Sequence, residues 1–283
     1  MNVFSFIKRK LYNFIHPELG QILMLHRVTE QRSRLLANRE LEVTPDFLEQ
    51  TILRYKENGY RFVDMDEVAR VVNGGKQHQK FVCFTFDDGY ADNYTLASPI
   101  FKKYNCPFTI NITTDFYERK ALLWWYVLED LRVNDEEFYR LREKFFNMDT
   151  AQIESYLNQK YPNAKDFIEN RRNNMALNET QIREMSNSGL CTIGCHTMSH
   201  PRLSNLNYDK QYYEIATSKQ KLEVLIEKKV KHFAFPYGDF NEDTLAVMKD
   251  VGFETSVRTW GGKVRREGKT ITLPRIELQQ IIA

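Results

Sequence analysis

Two short segments hold most of the residue types able to do chemistry: Thr85-Phe86-Asp87-Asp88-Gly89-Tyr90 and His196-Thr197-Met198-Ser199-His200-Pro201. Together they offer two imidazoles and a carboxylate for a divalent metal, with one carboxylate to spare, which is what metal-assisted hydrolysis requires. Two histidines at i and i+4 converge on one face of a helix or in a tight loop after a strand. The aspartates follow Phe81-Val82-Cys83-Phe84-Thr85-Phe86, an almost wholly apolar run that reads as a strand buried on both faces. Successive strand side chains point to opposite sides, so Asp87 and Asp88 cannot both aim at one point while the strand stays regular. One can bind a metal while the other remains free as a base. By itself, Asp-Asp-Gly is also an ordinary turn, with an aspartate capping a helix that begins near Ala91.

These residues need elements to position them. Thr192 to Cys195 reads as a second buried strand, placing His196 at its carboxyl end as the aspartates are on theirs, the end where parallel α/β architectures build sites. Further apolar runs, Ile22 to Leu25, Tyr60 to Val63, Phe108 to Ile112, His232 to Phe235, Thr255 to Val257 and Ile271 to Leu273, alternate with helical stretches. Thr44 can cap a helix whose first turn takes Pro45, and Tyr208 to Lys228 has apolar residues at helical spacing. Seven or eight strands alternating with helices predict an α/β barrel. Between Ile112 and Thr192 no strand appears, so residues of about 116–190 form a helical insertion on one domain spanning 1–283. Trp124 and Trp125 open it, and either could wall the cleft and stack on a sugar, or pack within the insertion.

The 283 residues are 42% hydrophobic, with 40 basic against 38 acidic side chains, a net charge of +2 that makes no case for a nucleic-acid binder. Cys83, Cys106, Cys191 and Cys195 form no C-x-x-C pair and suit a reduced, buried state and a cytoplasmic compartment. Grouping Cys191, Cys195, His196 and His200 as a zinc finger fails on spacing, and on a strand both cysteines face away from His196. No signal peptide or membrane span is expected, yet Val3 to Ile15 is amphipathic and cationic, able to lie on the inner membrane face or to pack on its own domain.

The motifs resemble those of the polysaccharide deacetylases of the NodB-homology class, carbohydrate esterase family 4, over most of the chain outside the insertion. The resemblance implies a distorted (β/α)7-8 barrel. It makes Asp87, the first aspartate of Thr-Phe-Asp-Asp-Gly, the catalytic base, and Asp88 a metal ligand. His196 and His200 match the remaining ligands in His-(Ser/Thr)-x-x-His. Zinc is the first choice of metal, with iron, cobalt, nickel and manganese also suited to these donors. In the third motif, Phe233-Ala234-Phe235-Pro236-Tyr237-Gly238, the family's arginine is missing. The backbone amide of Tyr237 keeps its oxyanion role, Pro236 joins Trp124 and Trp125 as a candidate substrate contact, and the brace for Asp87 must come from elsewhere. Arg275, after a predicted strand, is the candidate, with a surface pair to Glu277 as the alternative. The family's late Leu-x-His is also absent, but Ile22-Leu23-Met24-Leu25-His26 looks like that motif moved to the N-terminus, as in circularly permuted members, which makes His26 the general acid. A closed barrel tolerates permutation because its first and last strands are neighbours.

The implied reaction is hydrolysis of an N-acetyl group on an amino sugar of a polysaccharide, oligosaccharide or lipid-linked sugar. A deformylase or deacetylase of lipid-linked sugars would use the same residues. The missing third-motif arginine also leaves room for a non-catalytic glycan-binding module. A non-heme iron oxygenase typically orders its ligands as His-x-Asp with a distant His, unlike the order here.

Overall fold

The computed structural model describes residues 16–266 and 270–281, so the amphipathic segment Val3 to Ile15 lies outside the described residues. The strands are β1 (Glu18–Leu25), β2 (Arg27–Val28), β3 (Glu42–Val43), β4 (Arg61–Val63), β5 (Phe81–Phe86), β6 (Phe108–Ile112), β7 (Cys191–Cys195), β8 (His232–Ala234), β9 (Thr255–Gly261), β10 (Val264–Arg265) and β11 (Leu273–Glu277). Seven of them, β1, β5, β6, β7, β8, β9 and β11, pair in parallel around a ring, and β11 returns to β1 to close it. This is a (β/α)7 barrel. β4 shares one edge of β5 with β6: it pairs with Phe81 to Cys83, and β6 pairs with Phe84 to Phe86.

The helices are α1 (Leu36–Arg39), α2 (Pro45–Glu57), α3 (Met65–Val72), α4 (Ser98–Lys103), α5 (Thr114–Tyr117), α6 (Trp124–Asp130), α7 (Asp135–Phe145), α8 (Thr150–Lys160), α9 (Ala164–Asn174), α10 (Glu179–Asn187), α11 (Tyr208–Ile226) and α12 (Glu242–Val251). Thr44 caps α2 by accepting the Phe47 amide at 3.2 Å, with Pro45 at the first helical position. A π-helical turn, Asn93–Ala97, precedes α4.

Period-2 alternation sorts the barrel's side chains. Phe81 and Cys83 join Ile22, Ala234, Val257 and Leu273 inside it, where Met65, Val68 and Val71 of α3 plug the amino end. Val82, Phe84 and Phe86 point outward into the layer under the helices, with Ile193 and Phe233. Cys191 and Cys195 share that outer layer, away from His196, and all four cysteines are free and buried. Helices α6 to α9 bury their apolar faces in a separate core that includes Trp124, Trp125, Leu141, Leu157 and Ile168. Helix α10, by contrast, packs Ile182 and Met185 on the barrel.

β1 and β9 run longer than their apolar cores, from Glu18 and to Gly261, β8 stops at Ala234, the short β2, β3 and β10 lie outside the expected runs, and β11 departs furthest from expectation. β11 begins at Leu273, where the sequence predicts an end, because Pro274 falls at a shift in the pairing with β9 between Leu273 and Arg275. Its missing N–H therefore interrupts the ladder without terminating the strand.

Candidate active site

Asp87 keeps the inward parity of Phe81, Cys83 and Thr85 and is 1% exposed. Its Oδ1 accepts Arg275 Nη1 at 2.8 Å and Asn111 Nδ2 at 2.9 Å, and its Oδ2 accepts Arg275 Nη2 at 2.5 Å. Arg275 lies within β11, not after it, and points inside the barrel, donating also to Thr85 Oγ1 at 3.1 Å and to the Arg258 carbonyl at 3.0 Å. It is a fully buried residue, not a surface arginine. Burial alone would raise the Asp87 carboxyl, and the Arg275 guanidinium, then His196, outweigh it and hold the group well below the usual carboxylate range.

Asp88 leaves the strand. Its φ of 72° is left-handed, and Gly89 follows at 89°, so the chain turns and the Asp88 carboxylate meets His196 and His200 instead of Arg275. Its Oδ1 lies 3.4 Å from His196 Nε2 and 3.3 Å from His200 Nε2. One donor atom from each of the three residues lies within 4.8 Å of the others. The Asp88 Oδ1 and His200 Nδ1 atoms are buried and make no hydrogen bond to the described residues. His196 Nδ1–H donates to the Ala234 carbonyl at 2.8 Å, which leaves Nε2 with its lone pair toward Asp88. An orphaned carboxylate oxygen facing two imidazole nitrogens fits a divalent cation, and the mixed oxygen and nitrogen donors suit zinc or its first-row neighbours.

The histidine segment is a loop. Thr197 and His200 are both left-handed, at φ 64° and 62°, and the Thr197 hydroxyl accepts the His200 amide at 3.1 Å. Glu214 of α11 clamps it, accepting the Met198 and Ser199 amides at 3.0 Å each and the Ser199 hydroxyl at 2.7 Å.

Pro236 is buried at the start of a turn in which Tyr237 has φ 58°, and the tyrosine ring lies edge-on to His200 at 4.5 Å. His26 follows β1, the strand held between β5 and β11, and is half-buried. It lines a cavity of about 220 Å³ together with Asp87, Asp88, His196, His200 and Tyr237. Burial lowers its imidazole, against the raising effect of Asp88 and Asp87. Trp124 and Trp125 reach the same cavity but are only 6% exposed. Trp125 donates Nε1–H to the Tyr90 hydroxyl at 2.9 Å, and Trp124 packs on Phe145 at 5.2 Å. The structure thus brings Asp87, Asp88, His26, His196, His200, Tyr237 and Arg275 to the carboxyl end of one barrel.

Three contributors escaped the sequence reading: Asn111, Gly194 and Glu214. Asn111 is a polar residue amid the apolar run of β6, a signal that was available. Gly194 makes room for it, since a Cβ there would lie 2.1 Å from Asn111 Oδ1, and glycine inside a strand marks such close approaches. Glu214 sits on a helix rich in charge, and nothing local distinguishes it.

A closed parallel barrel with its buried polar cluster at the carboxyl ends of the strands has the layout of a barrel enzyme. Residues 74–256 match the polysaccharide deacetylase family, and the chain belongs to that family. The matched stretch includes both aspartates and both histidines and leaves His26 and Arg275 outside it. YxkH of Bacillus subtilis (strain 168) is 24% identical over 263 residues, 93% of this chain and 72% of that protein. The poly-beta-1,6-N-acetyl-D-glucosamine N-deacetylase of Staphylococcus aureus (strain MRSA252) is 24% identical over 242 residues, 83% of this chain and 67% of that one. Among solved structures, the Streptococcus pyogenes deacetylase PplD in complex with acetate superposes with a TM-score of 0.67 at 24% identity, covering 93% of this chain and 96% of the other.

Proposed function

We propose that this chain hydrolyses the N-acetyl group of an amino sugar within a glycan, releasing acetate and a free amine. The observation that carries the proposal is the Asp87 carboxylate, buried and fixed by Arg275 and Asn111 beside the Asp88, His196 and His200 cluster. Asp88, His196 and His200 would hold a divalent metal, zinc first, which when bound polarises the acetamide carbonyl and acidifies water.

Asp87 then acts as the base. Its Oδ1 already accepts two donors and Oδ2 one, so Oδ2 keeps the lone pair that takes the water's proton. The hydroxide adds to the carbonyl carbon, and the Tyr237 amide donates to the developing oxyanion. As the carbon–nitrogen bond breaks, His26 protonates the departing sugar amine.

The cavity of about 220 Å³ suits a single acetylated ring. It adjoins a groove of about 780 Å³ with which it shares Trp124, Trp125, His200 and Tyr237 as lining residues, and that groove is lined by polar and aromatic side chains, including Gln152, Asn205 and Tyr213. This supports a glycan over a free monosaccharide.

The test is acetate release from N-acetylated polysaccharides, oligosaccharides and lipid-linked sugars, with formate release measured in parallel. Release from a glycan that is lost in Asp87→Asn supports the proposal. Binding of the same glycans without acetate or formate release would make the chain a glycan-binding module.

A further inference from the structure

The motif that supplies the base runs directly into a π-helical turn, and that turn grips the loop carrying His26. Asp92, which precedes Asn93–Ala97, accepts the Arg27 Nε–H at 2.7 Å through Oδ2 and the Val28 amide at 3.2 Å through Oδ1. Asn93 is fully buried, and its Nδ2 donates to the His26 carbonyl at 2.9 Å. Residues 26, 27 and 28 are therefore each held by one of two adjacent side chains, five and six residues beyond Asp87. Single π turns frequently mark functional sites, and here Asn93 of the clamp is the first residue of the turn and Asp92 its N-cap. The Arg27 guanidinium also lies 4.7 Å over the ring of Tyr126 on α6, a further contact that holds the arginine.

We infer that Asp92 and Asn93 are positioning residues for His26, setting the imidazole's distance from the reacting centre from the same segment that carries Asp87 and Asp88. This rests on the proposed role of His26 as the proton donor to the leaving amine. Neither residue lines the cavity, so neither touches substrate. Their effect passes through the backbone of His26 and its neighbours, and a displacement of about 1 Å at a catalytic group can cost on the order of 100-fold in rate.

The test uses leaving-group dependence. An amine must be protonated to depart, whereas 4-nitrophenolate leaves without a proton. Loss of a general acid therefore lowers the ratio of the rate on an N-acetyl glycan to the rate on 4-nitrophenyl acetate. His26→Ala should lower that ratio, and Asp92→Ala and Asn93→Ala should lower it in the same direction, by about 10- to 100-fold. Asp92→Asn, which keeps its shape and the Val28 acceptor but weakens the Arg27 contact, should give an intermediate ratio even if Asp92→Ala does not fold. Adding Asp92→Asn to His26→Ala should lower the ratio no further. Equal losses on both substrates in the clamp variants, with a selective loss in His26→Ala, would show a merely structural clamp and overturn the inference alone. An unchanged ratio in His26→Ala would remove His26 as the acid, and the clamp would have no acid to position.

Discussion

As the proposed base, Asp87 would face two requirements that conflict: to remain ionised while buried, and to keep a lone pair for a proton. Arg275 meets the first with a two-bonded fork, and the unequal sharing of donors between Oδ1 and Oδ2 meets the second. Removing one partner of a buried pair leaves an uncompensated charge. Arg275→Met should therefore destabilise the fold by about 3–5 kcal/mol in urea unfolding as well as lowering kcat. Combining it with Asp87→Asn should recover much of that stability and none of the activity. Asp87→Asn alone should abolish acetate release while metal content stays near that of the wild type, whereas His196→Ala should lose the metal. An equal loss of metal in both would mean that base and ligand are assigned the wrong way round. The residue types and spacing of Asp87, Asp88, His196 and His200 were legible in the sequence. Asn111 stands out as a polar residue in the apolar run of β6, but its partner, Asp87 on the neighbouring strand's end, is not given by that local signal.

Neighbouring strands make the site a matter of register. β6 and β7 pair Asn111 with Gly194, so the amide that orients Asp87 occupies the space a side chain on β7 would fill. Gly194→Ala should displace Asn111, costing about 1–3 kcal/mol from overpacking and lowering kcat. Adding Asn111→Ala should relieve the clash and restore stability without restoring rate. The opposite end of the barrel offers a pH test remote from the site. Asp66, on α3, bonds to His232 of β8 at 3.3 Å, and that contact, ahead of the opposing effect of burial, lowers the Asp66 carboxyl from 3.8 to about 2. A carboxyl lowered on folding contributes stability that is present above its unfolded value near 3.8 and is lost as pH falls toward about 2. Urea unfolding of wild type and Asp66→Asn should differ at pH 6 and converge near pH 2. The strands were legible from their period-2 apolar runs. The start of β11 was misplaced because a proline inside a strand is admissible only where the ladder is already irregular, and register is not a local property.

Closure of the ring makes one site from both ends of the chain. Arg275 and Asp87 are 188 residues apart and meet because β11 and β5 both flank β1, the strand that ends beside His26. A metal held only by the folded chain stabilises it by mass action, about 2.7 kcal/mol at a hundredfold excess over Kd. Chelation should lower Tm and abolish acetate release, and added zinc should restore both. In Asp88→Asn the Tm should respond little to zinc. What the sequence by itself determined is local: the strand and helix periods, the aspartates at the end of one strand, the histidine pair after another, and a family resemblance resting on those motifs. The tertiary structure alone decided that the His-x-x-x-His segment is a clamped loop, that Arg275 faces inward onto Asp87, and that the π turn holds the His26 loop. Each of these depends on which strands become neighbours when the barrel closes. That is set by the packing of the whole core, and no short-range spacing encodes it.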